Sequence, residues 1–316
     1  MGIVKYDGME KYRLMEKSTN KTVCVLMSTY NGGKYVSMQI DSILAQEGVD
    51  ITLIVRDDGS NDNTTLILDE YKSKGLLTWY SGANKGPAYS FWDLLLRAGD
   101  YKYYAFADQD DVWLKEKICA AVEKIKLASP FLYFSKKTLV DNDLNEMNRK
   151  DDRIRGTSLE FSLLRGFASG CTMVFNDVLY KELVKYTPEV MTMHDSWILK
   201  VAGAIGEIYY DPISYILYRQ HGRNTIGNQT RLTIARRHLR NGIKYRYDND
   251  RSRMAGQLVN IYGTMMDARD IKHSQWLANI RISHLTRWKM AFSTYYKTQT
   301  PSEIILLKLG FLLGWM

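Results

Sequence analysis

Cysteine is scarce in this 316-residue chain: Cys24, Cys119 and Cys171 stand far apart, without metal-ligand spacing. That excludes a disulfide framework and a thiolate-rich zinc site, and it fits buried thiols in a reducing compartment. No apolar run reaches the roughly 18 residues of a membrane span. Residues 1–21 are polar and mixed in charge, with no apolar centre to serve as a secretory signal. Neither an internal repeat nor a low-complexity linker is present. The expectation is a protein that starts and stays in the cytoplasm. Hydrophobic residues make up 45% of the chain and charged ones 25%, a balance that allows a substantial core. Tyrosine is abundant at 22 residues, and its rings stack on sugars and bases as readily as they fill cores.

The first half alternates strand and helix signals. Residues 23–27, 51–55, 76–80 and 103–107 are short runs of strand length. Between them, residues 36–46, 62–71 and 86–98 carry helical spacing or capping residues. This rhythm predicts an α/β fold with a mostly parallel sheet flanked by helices, in which ligands bind at the carboxyl ends of the strands. Tyr30-Asn31, Asp57-Asp58 and Asp108 to Asp111 all follow strand runs. The second half is less regular. Residues 131–135, 171–175, 207–210 and 214–218 read as strands, 159–166 as a short helix and 194–204 as a longer one. From about Arg231 the pattern is mainly helical.

Phe106-Ala107-Asp108-Gln109-Asp110-Asp111 carries the most chemistry. Three carboxylates so close together resist ionising at once, and a divalent cation relieves their repulsion. Hard oxygen ligands without neighbouring His or Cys suit Mg2+ or Mn2+ rather than zinc. A metal held this way commonly carries a phosphate as a further ligand. The alternative is a solvated acidic turn capping a helix that begins near Val112.

Six segments in order resemble a family 2 glycosyltransferase with the GT-A type of nucleotide-sugar-binding fold. They are Ser28-Thr29-Tyr30-Asn31, Asp57-Asp58-Gly59-Ser60-Asn61-Asp62, Asn84-Lys85-Gly86, Asp108-Gln109-Asp110-Asp111-Val112-Trp113, His194-Asp195-Ser196-Trp197 and Tyr218-Arg219-Gln220-His221-Gly222. The acidic and Tyr-Arg-Gln-His-Gly segments look most like the bacterial rhamnosyltransferase-like branch. The resemblance implies a polar segment at residues 1–20 and a GT-A domain at 21–228. Within that domain it puts nucleotide binding at about 21–118 and acceptor binding at about 119–228. A basic, helical C-terminal region follows at 229–316.

The resemblance also implies roles. Tyr30 stacks on a pyrimidine, Asp58 accepts its ring N–H, and Asp57 braces the loop. Ser28, Asn31, Asn84, Lys85, Gln109 and Gly170 complete the nucleotide-sugar site. Asp110 ligates Mg2+ or Mn2+, Asp108 touches the ribose or reaches the metal through water, and His221 is a second-side ligand. Asp111 either joins them or caps the following helix. Arg219 and Arg223 clamp the diphosphate. Asp195 is the general base for the acceptor hydroxyl, with an N-cap role as the alternative. His194 departs from the Glu-Asp of many relatives. Trp113, Cys171, His194 and Trp197 are candidates for the sugar or acceptor pocket, with the core as an alternative for Trp113. Cys171 has no basic partner in its sequence neighbourhood, which argues against a nucleophilic role. One base and no nucleophile imply a single displacement with inversion. The best-matched donor is dTDP-β-L-rhamnose, and another UDP- or dTDP-hexose is the alternative. The acceptor implied is a saccharide on a polyprenyl-diphosphate lipid, in bacterial cell-wall or capsular polysaccharide synthesis.

The net charge of +8 is uneven: residues 231–308 hold 15 Lys and Arg against 5 Asp and Glu. This implies an anionic partner for the C-terminal region. Residues 286–292 mix cations with aromatics, and 304–315 are almost wholly apolar, too short to span a bilayer but long enough to lie in one face. The expectation is peripheral attachment to the anionic inner face of a bacterial membrane. The alternative is a helical cap packing back on the catalytic domain, or a homodimer contact. A nucleic-acid partner for the basic tail is disfavoured, because carboxylates at the strand ends repel phosphate and no recognition motif is present.

Overall fold

Strands that are apolar on both sides require cover above and below. β1 (Thr22–Thr29) and β4 (Tyr103–Ala107) are such strands: residues 23–27 and all of β4 are buried. The computed structural model describes residues 21–147, 154–221, 250–299 and 303–314. The other strands are β2 (Asp50–Asp57), β3 (Thr78–Ser81), β5 (Val112–Trp113), β6 (Phe131–Val140), β7 (Met173–Asn176) and β8 (Glu207–Arg219). They form one sheet in the order β3-β2-β1-β4-β7-β6-β8-β5. The helices are α1 (Val36–Leu44), α2 (Thr64–Ser73), α3 (Gly86–Arg97), α4 (Lys117–Lys124), α5 (Leu159–Ser162), α6 (Asp177–Val184) and α7 (His194–Ile205). Four more follow: α8 (Asp250–Tyr262), α9 (Ala268–Ala278), α10 (His284–Phe292) and α11 (Glu303–Leu313). This is a GT-A-like α/β fold with a C-terminal helical region.

Alternation along the strands divides the core in two. Val23, Val25, Met27, Ala105 and Ala107 face α1, α2 and α4, whereas Cys24, Leu26, Tyr104 and Phe106 face α3, α6 and α7. Pairing directions then decide where chemistry collects. β1, β2, β3 and β4 run parallel. β7 is antiparallel to both β4 and β6, so β6, and β8 parallel to it, point the same way as β4. The carboxyl ends of β1, β2, β4, β6 and β8 and the start of β7 therefore share one edge of the sheet.

Several boundaries differ from the sequence reading. No helix begins near Val112: that residue starts the two-residue β5, which pairs with β8, and the helix starts at Lys117. Residues 207–210 and 214–218 belong to one strand, since pairing with β6 carries β8 across the intervening turn-like residues. The segment at 170–172 is a 3-10 turn leading into β7. β6 runs on to Val140, with register shifts on either side of Lys136.

The C-terminal helices pack back on the catalytic domain. Met254, Leu258 and Tyr262 of α8, Leu277 of α9, Met290 of α10 and Phe311 of α11 are buried in the same cluster as Trp197, Ile198 and Val201 of α7. Polar ties reinforce this packing. Glu160 pairs with Arg269 at 2.7 Å and with Lys297, Arg165 with Glu303 at 3.0 Å, and Gln299 bridges Arg155 N–H and Gly156 O. No helix among the described residues is long and apolar enough to cross a membrane. Residues 1–20 and the whole basic run at 231–246 lie outside the described residues.

Because Leu258 has no solvent exposure in this shared core, Leu258→Ala is expected to cost about 2–5 kcal/mol. Urea unfolding followed by near-ultraviolet dichroism should shift as one transition. A separate early transition for the C-terminal helices would show that they do not share the core.

Candidate active site

The acidic run leaves β4 into a crowded corner. Asp108, Asp111 and Cys171 bring one potential ligand atom each to within 4.8 Å of one another. Burial, and then the charge of Asp110, pushes the Asp108 carboxyl up to about 7, with Asp195 adding to the push and Lys137 opposing it. Asp111 is raised further, first by burial and then by Asp108 and Asp110. It accepts the Arg219 backbone N–H at 3.1 Å, and its Oδ2 has no hydrogen-bond partner among the described residues. An orphaned buried carboxylate oxygen beside a second carboxylate is the donor set a divalent cation satisfies. Asp110 contacts His221, Oδ2 to Nε2, at 2.7 Å, and His221 stacks on Tyr35. Asp111 is therefore no helix cap.

Arg219 does not reach outward as a phosphate clamp. It is buried, donating from Nε to Asp110 O at 2.9 Å and from a terminal nitrogen to Asn142 O, with its guanidinium over Tyr35. In this position it braces the acidic loop. Arg223, its expected partner, lies outside the described residues.

Loops after β1, β2 and β3 form the next sector. Asp57 braces as expected, accepting Thr29 Oγ1–H at 3.0 Å and the backbone N–H groups of Gly59 and Ser60 at 3.1 and 2.8 Å. Asp58 is buried against the Arg56 guanidinium and accepts Lys85 and Gly86 N–H at 3.1 and 2.9 Å, at the start of α3. Arg56 also reaches Ser90, Asp93 and Ala83 O. Asn84 accepts from Gly86 N–H at 3.2 Å, and Ser28 meets Ser90 at 2.6 Å. Asn31 sits at φ 48° and accepts Asn61 N–H at 2.8 Å. The Gln109 amide clasps Tyr30 twice, accepting its N–H at 2.9 Å and donating to its C=O at 3.0 Å. A Cβ at Gly32 would stand 2.1 Å from Gln109 Oε1, so glycine is required for that clasp. The Tyr30 ring itself is exposed.

α7 supplies the opposite wall. Met193 is its extended N-cap, which leaves Asp195 in the first turn, where the helix dipole favours a carboxylate. Asp195 accepts Gly170 N–H at 3.3 Å and Ser196 N–H at 2.5 Å. Gly170 precedes Cys171, whose thiol adjoins Asp108 and Asp111 and is driven well up by burial and then by their charges. Asp195 thus lies close enough to the acidic cluster for its charge to raise Asp108.

Three pocket candidates belong to the core. Trp197 has no exposure and packs towards Tyr262 of α8. Trp113 is buried on β5 with Lys117 Nζ 3.6 Å from its ring centre. His194 stacks on Phe91 and meets Phe106 edge-on. Helical phase explains these placements: residues 194, 197, 198 and 201 form the inward stripe of α7, with Asp195 at its margin.

Several site residues had no motif to reveal them. Lys137 sits within the second register shift of β6, donates to Ser169 Oγ at 2.6 Å and lies 4.1 Å over the Tyr218 ring. Bulges of this kind re-aim a side chain, and no local spacing foretells them. Lys117, without a hydrogen-bond partner among the described residues, is lowered to about 7 by burial, with the Cys171 and Asp111 charges opposing. Its place on the buried stripe of α4, with Ile118, Ala121 and Val122, was a readable signal. Lys200 donates to Ser196 Oγ at 2.8 Å, one turn below Asp195.

Burial lowers His194 from 6.5 to about 4. The folded chain keeps the ring neutral while the unfolded chain protonates it. Stability from this group is therefore fully present above pH 6.5 and lost as pH falls to 4, by about 3 kcal/mol. His194→Leu is expected to narrow the difference between urea midpoints at pH 7 and pH 5. Equal differences in the two proteins would show that His194 does not titrate this way.

A family model described as Glycosyl transferase family 2 matches residues 24–183. The chain is 28% identical over 214 residues to dTDP-rhamnosyl transferase RfbG of Shigella flexneri, covering 64% of this chain and 73% of that protein. A shorter match, 30% over 96 residues, is to UDP-Glc:alpha-D-GlcNAc-diphosphoundecaprenol beta-1,3-glucosyltransferase WfgD of Escherichia coli, covering 30% of this chain and 38% of that relative. Among solved structures, S. aureus TarS 1-349 in complex with UDP-GlcNAc superposes with a TM-score of 0.53 at 16% identity, over 84% of this chain and 83% of that one. That last likeness is one of fold. The family-model match spans more than half of the 316 residues and the sheet edge gathers its motifs, so this chain belongs to glycosyl transferase family 2.

Proposed function

We propose that this chain is an inverting, metal-dependent hexosyltransferase moving L-rhamnose from dTDP-β-L-rhamnose to a saccharide on a polyprenyl-diphosphate lipid, at the inner face of a bacterial membrane. One observation carries the reading: Asp195 bonds Gly170 N–H while the adjacent Cys171 adjoins Asp108 and Asp111, which puts a carboxylate suited to a general base close to an acidic cluster. The donor's name in the 28% relative and the diphosphoundecaprenol acceptor in the name of WfgD support the narrower choices. A UDP-hexose donor is the second reading, favoured by the UDP-Glc in that same name.

In this mechanism the nucleoside lies against Tyr30, between the loops that Asp57, Asp58 and Gln109 brace. Asp195 takes the proton of the acceptor hydroxyl as its oxygen bonds to the anomeric carbon. The bond from that carbon to the diphosphate breaks on the opposite side, inverting the centre and giving an α-L-rhamnosyl product from the β-linked donor. Asp108, Asp110 and Asp111, with His221 beside them, would hold Mg2+ or Mn2+, which when bound neutralises the diphosphate charge. Lys137 adds a positive charge on the same side of the cleft and opposes the build-up of negative charge near Asp108.

Asp195→Asn is expected to lower transfer by about 100-fold or more while nucleotide affinity stays unchanged. Asp110→Ala should weaken nucleotide binding in Mn2+ but not in EDTA, read by titration calorimetry. Full activity in Asp195→Asn would exclude it as the base. A mass-spectrometric screen of nucleotide sugars tests the donor: transfer from UDP-glucose and none from dTDP-rhamnose would replace the first reading with the second.

A further inference from the structure

We propose that two exposed apolar stripes, one on α10 and one on α11, form a docking surface for an anionic lipid bilayer. The inference rests on the lipid-carried-acceptor reading for its purpose, although binding itself is a separate property. On α10, Leu285, Trp288 and Phe292 recur at steps of three and four residues and are 64%, 57% and 72% exposed. On α11, Ile305, Leu309 and Leu313 recur every four residues and are 65%, 49% and 51% exposed. The opposite sides of the same helices are seated in the core through Met290, Ala291 and Phe311. Trp288 and Phe292 stack on each other with ring centres 5.6 Å apart, which leaves the pair facing outward as one broad apolar unit.

Six large apolar side chains left in solvent on neighbouring helices exceed what scattered surface hydrophobes explain. Their charge context selects the occupant. α10 carries no acid and presents Lys289 beside its stripe, while Arg287 is tied to the Ile280 and Arg281 carbonyls at 2.9 and 3.2 Å. α11 carries Lys308, and its one acid, Glu303, is paired to Arg165 at 3.0 Å. Apolar stripes flanked by Lys289 and Lys308, with no unpaired acid on either helix, match an anionic headgroup layer over acyl chains. A second copy of the chain would bring the same positive charges face to face, which disfavours self-association. No helix among the described residues is long and apolar enough to cross a membrane, so the contact is with one leaflet.

The test uses the full chain with vesicles of phosphatidylglycerol and, separately, of phosphatidylcholine. Flotation should recover the protein with the anionic vesicles and not with the zwitterionic ones, and 0.5 M salt should release part of it, a condition of roughly one-third the Debye length of dilute buffer. The triple variant Leu285→Ser, Trp288→Ser, Phe292→Ser is expected to lower the partition coefficient by about tenfold or more. The charge variant Lys289→Glu, Lys308→Glu leaves the apolar stripes intact and is expected to lose the preference for phosphatidylglycerol. Donor hydrolysis should be unchanged in both variants, which shows that they fold. Undiminished binding in both variants overturns the proposal, as does absence of binding by the native chain. A dimer in sedimentation velocity that the triple variant dissociates also overturns it, in favour of a homotypic interface. Vesicle binding by a chain without transferase activity would sink the functional reading and leave the docking surface standing; transfer without vesicle binding would do the reverse.

Discussion

Too much negative charge at the end of one strand is the constraint around which the rest is arranged. Asp108, Asp110 and Asp111 follow β4 at a corner with little access to water. Left alone they repel, and burial makes the ionised forms of Asp108 and Asp111 costlier. The fold answers with directed groups rather than solvent. Arg219 holds the Asp110 carbonyl with its guanidinium and the Asp111 carboxylate with its backbone N–H, His221 meets Asp110, and Lys137 and Lys117 approach from β6 and α4. An acidic corner that is structurally over-determined yet electrically incomplete is suited to binding a cation and the anion that comes with it.

Rigidity around that corner comes from carboxylates used as loop braces. Asp57 and Asp58 are both buried, one knitting its own turn and the other tying Arg56 to the start of α3. Gln109 bridges the loops after β1 and β4 through a single side chain. These interactions pre-set the surface on which a nucleoside would lie, so little ordering is left for binding to supply.

The opposite wall depends on the C-terminal helices. α8 covers α7 through Leu258 and Tyr262, while Gln257 holds the segment before α7 through the Glu189 N–H at 2.6 Å and the Val190 C=O at 3.1 Å. Asp195 is thus fixed by a helix that is itself pinned from behind. The outer sides of α10 and α11 are what remains uncovered. Catalytic geometry and any membrane contact would accordingly share one rigid connection.

Local pattern determined the strand–helix order of the first half, the acidic run, the His194-Asp195 segment and the position of both relative to strand and helix ends. Those features follow from periodicity and from residue chemistry, which the chain carries within a few residues. It did not determine that Trp197 and His194 turn inward, since helical phase relative to a core is set by what packs opposite. Nor did it determine that Arg219 serves the acidic loop or that Lys137 enters the cleft. The first follows from partners more than seventy residues away in sequence, the second from a register shift between β6 and β8. The fate of the apolar tail was likewise open, because an amphipathic stripe specifies a buried side without naming what buries it. Only the assembled core showed that one side of each helix is taken and the other left exposed.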